Sequence, residues 1–129
     1  MRQELWKAAG YRVVGYESLR VDFKAIRGLK FDALVLDESY KIANPRAKVT
    51  KCVLQMMAPV RIALNGTLIS NSYADIWSVC HWVSPGCLYN NFWAFRSIHA
   101  IMNPHFPQIV GWRGVEEIKK AENLFQRLS

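Results

Sequence analysis

Apolar positions recur along the chain with two different periods, and each period predicts an element. Leu19, Phe23 and Ile26 fall at helical spacing and end before Gly28, which predicts one short helix. Val49, Cys52, Val53, Met56 and Met57 form a second apolar stripe, with Asn44 placed to cap it and Pro45 suited to its first position. A third helix starts near Ser72, has Asp75 in the capping-box position, and carries Ile76, Val79, Cys80 and Val83 up to Ser84-Pro85-Gly86. Phe92, Phe95, Ile98 and Met102 mark a fourth, ended by Asn103-Pro104. Val115, Ile118, Ala121, Phe125 and Leu128 mark the last, and residues 2–9 fit a short helix closed by Gly10.

Continuous apolar runs predict the strands. Tyr11–Tyr16 and Val60–Leu64 are β-branched and aromatic stretches, and Phe31–Asp37 is an apolar run ending in acid, the pattern of a strand buried on both faces of a parallel sheet. Strand and helix alternate, so the expected fold is α/β, a single partial domain over residues 1–129 with a short parallel sheet flanked by helices.

Composition narrows the class. At 51% hydrophobic and 12% aromatic residues, the 129-residue chain has the makings of one packed core. Its +7 charge is uneven, with twelve basic and six acidic residues in 1–61 against five and four in 62–129. A basic half suits a polyanion such as DNA, and equally a solvated surface. No apolar run is long enough to span a membrane and Met1-Arg2 opens no signal peptide, so the expected compartment is a reducing cytoplasm. The three cysteines, Cys52, Cys80 and Cys87, show no disulfide-framework spacing. Cys80, His81 and Cys87 contain no Cys-x-x-Cys pair, and Cys80 lies on an apolar stripe, so core packing is expected there before metal binding. His99 and His105 flank the stop at Asn103-Pro104 without a partner pattern and read as packed or solvated.

The chemistry sits at the end of the Phe31–Asp37 run. Asp37-Glu38 would place two carboxylates at the carboxyl edge of a sheet, where open α/β folds bind ligands. Taken alone, the pair also fits a solvated turn. Its surroundings decide between them. Asp37-Glu38-Ser39-Tyr40-Lys41-Ile42-Ala43-Asn44-Pro45 resembles the Asp-Glu-Ala-His-x-Ile-Lys-Asn-Pro motif of the Swi/Snf branch of superfamily-two helicases. Leu64-Asn65-Gly66-Thr67-Leu68-Ile69-Ser70-Asn71 resembles that family's motif III, Leu-Thr-Gly-Thr-Pro-Ile-Gln-Asn. Asp75-Ile76-Trp77-Ser78, Ser84-Pro85-Gly86 and Phe95-Arg96 follow its downstream pattern, and Gly15-Tyr16-Glu17-Ser18-Leu19 is similar to its motif Ib.

This resemblance implies a RecA-like ATP-binding lobe of a DNA translocase, with ATP and Mg²⁺ as cofactors and double-stranded DNA as partner. It implies that Asp37 holds Mg²⁺ through its water shell and that Glu38 orients the attacking water and accepts its proton. Gly66 and Thr67 would couple the nucleotide site to the DNA track. Ser39-Tyr40 stands where Ala-His is usual, Ala43 where Lys is usual, Asn65 where Thr is usual and Leu68 where Pro is usual, and these departures bear on coupling. No Gly-x-x-x-x-Gly-Lys-Ser/Thr occurs in the 129 residues, so no nucleotide is expected on the isolated chain. A split gene, a truncated remnant or an excised piece would each account for it. The expected behaviour is an inactive fragment that needs a phosphate-loop segment and a second lobe in trans; the alternative is a non-catalytic DNA- or protein-binding module. Arg46, Lys48 and Lys51, off the apolar stripe, are candidate weak DNA contacts. Val60, Ile62 and Leu64 would form an unpaired sheet edge that recruits a complementary helicase fragment or a second copy.

Overall fold

Alternating side chains on Ala33–Leu36 (β1) and Val60–Ala63 (β2) let the two strands share one apolar inner face. They pair in parallel, with Ala33 opposite Val60, Leu34 opposite Arg61, Val35 opposite Ile62 and Leu36 opposite Ala63. The computed structural model describes residues 10–66 and 72–120. Around the pair run Tyr16–Ile26 (α1), a 3₁₀ turn at Ser39–Ile42, Lys48–Leu54 (α2), Asp75–Val83 (α3) and Phe92–His99 (α4). A hairpin of Ala100–Met102 (β3) and Ile109–Trp112 (β4) follows, and residues 115–120 begin helix α5.

The core lies where α3 crosses the inner face of the sheet. Ile76, Val79, Cys80 and Trp82 of α3 are buried with Leu19 and Ile26 of α1, Ile42 of the 3₁₀ turn, Val53 of α2, Phe95 of α4 and Ile118 of α5. Leu34, Leu36 and Ala63 pack on this cluster from the sheet. Buried indole nitrogens would be costly without acceptors. Trp82 Nε1 therefore donates to the Met56 carbonyl at 3.0 Å, tying α3 to the end of α2, and Trp77 Nε1 donates to the Leu88 carbonyl at 2.8 Å. His99 is buried against the Tyr89 and Phe95 rings: its Nδ1 lies 2.8 Å from the Arg113 carbonyl and its Nε2 3.1 Å from the Tyr89 hydroxyl.

The α/β class stands, and several elements differ from expectation. Residues 11–15 form no strand: Tyr11 and Val13 are fully exposed, and α1 starts at Tyr16. An extended segment becomes a strand only by pairing, and these residues pair with neither described sheet. Among the described residues the parallel sheet has two strands rather than three. Asn44 does not cap α2. Its Oδ1 accepts from the Arg46 amide at 3.0 Å in a local turn, and the helix opens at Lys48 after Ala47. The fourth helix ends at His99, not Met102, because Ala100 turns extended and leads into β3. The Ser72 amide donates to Asp75 Oδ2 at 3.0 Å, one half of the expected capping box, but the Ser72 hydroxyl accepts from the Ala74 amide at 3.2 Å and the helix opens only at Asp75, after Ala74. The 2–9 helix and the end of the last helix lie outside the described residues.

Nor is β1 buried on both faces. Val35 is 57% exposed, and Val60, Ile62 and Leu64 are 40–49% exposed. Strict registry puts Ala33, Val35, Val60 and Ile62 on one face, over which no described element lies. The bare apolar surface is thus a sheet face as well as the edge that the sequence suggested.

Candidate functional site

Where β1 ends, the chain must leave the sheet while keeping two carboxylates at its rim. It does so through Glu38, whose backbone sits in the left-handed region at φ 47 and ψ 54. A non-glycine residue held there costs on the order of 1–3 kcal/mol, and such strain concentrates at functional positions. The turn is held by the Glu38 amide donating to Asp37 Oδ1 at 2.9 Å and by the Lys41 amide donating to the Glu38 carbonyl at 3.0 Å. Both acidic side chains remain exposed.

Two tyrosines brace the pair. The Tyr16 hydroxyl donates to the Asp37 carbonyl at 2.6 Å, so the first turn of α1 is fastened to the end of β1. Burial, followed by the charges of Asp37, Glu38 and Tyr40, pushes the Tyr16 phenol from 10.0 up to about 12, so it stays a donor at neutral pH. The Tyr40 hydroxyl donates to Glu38 Oε2 at 3.1 Å. Tyr40 stands where the Swi/Snf motif has histidine, and here its hydroxyl holds the carboxylate directly. Tyr16 was legible only as part of a motif Ib resemblance. Its tie to Asp37 joins residues 21 positions apart and leaves no local signal.

The second motif meets the first through backbone. Beyond β2 the Leu64 amide donates to the Leu36 carbonyl at 2.8 Å, and the Leu64 carbonyl accepts from the Ser39 amide at 3.0 Å. Leu64 is thereby spliced between the end of β1 and the turn that carries Glu38, two residues before Gly66. Gly66 is exposed with open space around its Cα, so nothing described there selects glycine by crowding. Thr67 lies outside the described residues.

The chemistry of the donors suits a hard cation. Mg²⁺ prefers oxygen ligands and keeps several waters, which matches an exposed carboxylate such as Asp37, one of whose oxygens is engaged by an amide. Behind it, the Ser39 hydroxyl is fully buried without a hydrogen-bond partner. No group of three or more His, Cys, Asp or Glu capable of enclosing a metal occurs among the described residues, so any ion here would be held chiefly by water and by another molecule's oxygens.

The basic candidates are not drawn into this site. Lys48 and Lys51 are exposed on α2. Arg46 places its guanidinium 5.0 Å from the ring centre of Trp93, and Arg96 approaches the same exposed ring at 5.3 Å. Cys80 is buried in the core, while His81 stacks on Trp77 with ring centres 4.7 Å apart. His99 is packed in its own network, as read. No described helix is long and apolar enough to cross a membrane.

Comparison with known proteins places this geometry. The chain is 37% identical over 73 residues to mouse DNA excision repair protein ERCC-6-like 2, covering 57% of this chain and 5% of that protein. It is 30% identical over 99 residues to human DNA repair and recombination protein RAD54B, covering 75% and 11%. The fold matches the Sulfolobus solfataricus SWI2/SNF2 ATPase core solved in complex with dsDNA, with a TM-score of 0.64 and 26% identity, over 87% of this chain and 22% of that one. The chain thus spans a small part of each relative. The SNF2-related domain model matches residues 2–129, and the chain belongs to that family.

Proposed function

We propose that these residues form the hydrolytic edge and coupling strand of an ATP-dependent DNA-translocating lobe, inactive alone and completed in trans by a phosphate-binding segment and a second lobe. The observation that carries this reading is the splice of Leu64 between Leu36 and Ser39, which joins the two motif regions into one unit. In the completed site Asp37 would hold Mg²⁺ through water, and the ion would neutralise phosphate charge. Glu38, braced by Tyr40, orients the attacking water and takes its proton on the free carboxylate oxygen. A shift of the phosphate-side turn is passed to Gly66 and Thr67 through the Ser39–Leu64 hydrogen bond.

Phosphoryl transfer depends on positioning and electrostatics, so carboxylates without a phosphate cradle give no turnover. The 129-residue chain alone is expected to show no ATP hydrolysis, with or without duplex DNA. Mixed with family segments that supply the phosphate loop and second lobe, it gains DNA-stimulated hydrolysis, which Glu38→Gln removes. Hydrolysis by the isolated chain that Glu38→Gln abolishes would sink the proposal.

The bare face of Ala33, Val35, Val60 and Ile62, with Leu64 beyond it, favours the companion proposal of association with a complementary segment or a second copy. Light scattering over a dilution series checks it. A strict monomer at high concentration, with slow amide exchange through 60–64, contradicts it.

A further inference from the structure

At the C-terminal end of α3 the side chain of a second cysteine, Cys87, comes back against the Cys80 carbonyl. Cys80 sits in the last turns of the helix and is fully buried, whereas Cys87, seven positions on, is exposed at the turn that follows. The Cys87 Sγ lies 3.5 Å from the Cys80 carbonyl oxygen, to which its thiol donates. Hydrogen bonding from the Cys80 side chain outweighs burial and holds the Cys87 thiol below its ordinary pKa.

The turn is held against the helix by contacts that do not involve sulfur. The Ser84 amide donates to the Cys80 carbonyl at 2.8 Å, the Cys87 amide to the Ser84 carbonyl at 3.1 Å, and the Gly86 amide to His81 Nδ1 at 3.4 Å. Trp77 Nε1 reaches over to the Leu88 carbonyl. Gly86, at φ +84, makes the reversal that brings residue 87 back to residue 80. The Cys87 side chain is thereby held at the carbonyl of the residue it would pair with.

We propose that Cys87 and Cys80 form a peroxide-reactive dithiol, with Cys87 the attacking thiol and Cys80 the resolving one. The Cys87 thiolate attacks one oxygen of hydrogen peroxide. The O–O bond breaks, Cys87 becomes a sulfenic acid, and the departing hydroxide takes a proton to leave as water. The Cys80 sulfur then attacks the Cys87 sulfur as its own proton is lost. The S–O bond breaks, and the hydroxide leaves with that proton as a second water. Two thiols give up two electrons, and one peroxide becomes two waters. In a reducing compartment such a bond is transient and signals oxidant rather than stabilising the fold. The inference stands apart from the ATP-site reading, because neither sulfur touches Asp37 or Glu38 in any contact described above.

The test is brief exposure of the folded 129-residue chain to hydrogen peroxide, followed by alkylation, intact mass measurement and non-reducing peptide mapping. The expected product has lost two hydrogens, maps as a Cys80–Cys87 cystine, and returns to dithiol with a thiol reductant. Cys52→Ala gives the same product, and Cys87→Ser, at an exposed position, gives none. The proposal is overturned by Cys87 gaining two or more oxygens while Cys80 remains alkylatable. It is equally overturned by a principal linkage through Cys52, or by a Cys87 that reacts no faster in the folded chain than in the denatured one.

Discussion

Replacing Tyr16 with phenylalanine removes one hydroxyl and, with it, the tie between α1 and the strand end that presents Asp37. The bond is 2.6 Å long and its acceptor is the Asp37 carbonyl. A hydrogen bond of this kind contributes about 0.5–1.5 kcal/mol net. The rise of the phenol from 10.0 to about 12 comes first from burial and then from the charges of Asp37, Glu38 and Tyr40, all of which penalise the phenolate, so it sets the pH range over which the donor persists rather than the strength of the bond. Because the folded state holds the phenolic proton more tightly than the unfolded chain, the contribution is fully present below pH 10 and is lost as pH rises toward 12. Urea unfolding followed by tryptophan fluorescence reads it. Tyr16→Phe should lower stability by about 1 kcal/mol at pH 7, a midpoint drop of roughly 0.5–1 M urea. The gap between parent and variant should close as the phenol ionises at alkaline pH. A gap that is absent at pH 7, or that widens with pH, refutes the bracing role.

Glu38→Gly relieves the left-handed backbone and should raise stability by about 1 kcal/mol in the same urea assay, while removing the carboxylate proposed to orient the attacking water. Gly114→Ala would set a Cβ 2.8–2.9 Å from the His99 ring at φ +64, so it should cost about 2–4 kcal/mol through strain and displacement of that buried ring, measured by thermal melting. Trp82→Phe leaves the Met56 carbonyl without its indole donor and should cost about 1–3 kcal/mol by urea unfolding. If Arg46, Lys48 and Lys51 each neutralise one phosphate, log affinity for duplex DNA should fall with log salt at a slope of about −2.7, and Lys48→Ala should reduce that slope by about 1 in fluorescence anisotropy.

Much of this protein was legible from local order along the chain. The period of Leu19, Phe23 and Ile26 marks α1, the run ending in Asp37 marks β1, and Ser84-Pro85-Gly86 marks the end of α3, because each depends on residues within one or two turns. The Asp37-Glu38 and Leu64–Asn71 stretches identified the family for the same reason: their chemistry is written in consecutive positions. Tertiary structure decided the rest. Tyr11–Gly15 has strand-like residues but pairs with neither described sheet, so propensity alone did not make a strand. Ala100–Met102 left the helical pattern of Phe92–His99 because Ile109–Trp112 offered a ladder, a pairing that no local window contains. Tyr16 reached the Asp37 carbonyl, and Cys87 came against Cys80, because packing closed loops whose ends lie far apart or turn on a single glycine conformation. Periodicity reports which side of an element is apolar; what that side meets is fixed only when the whole chain packs.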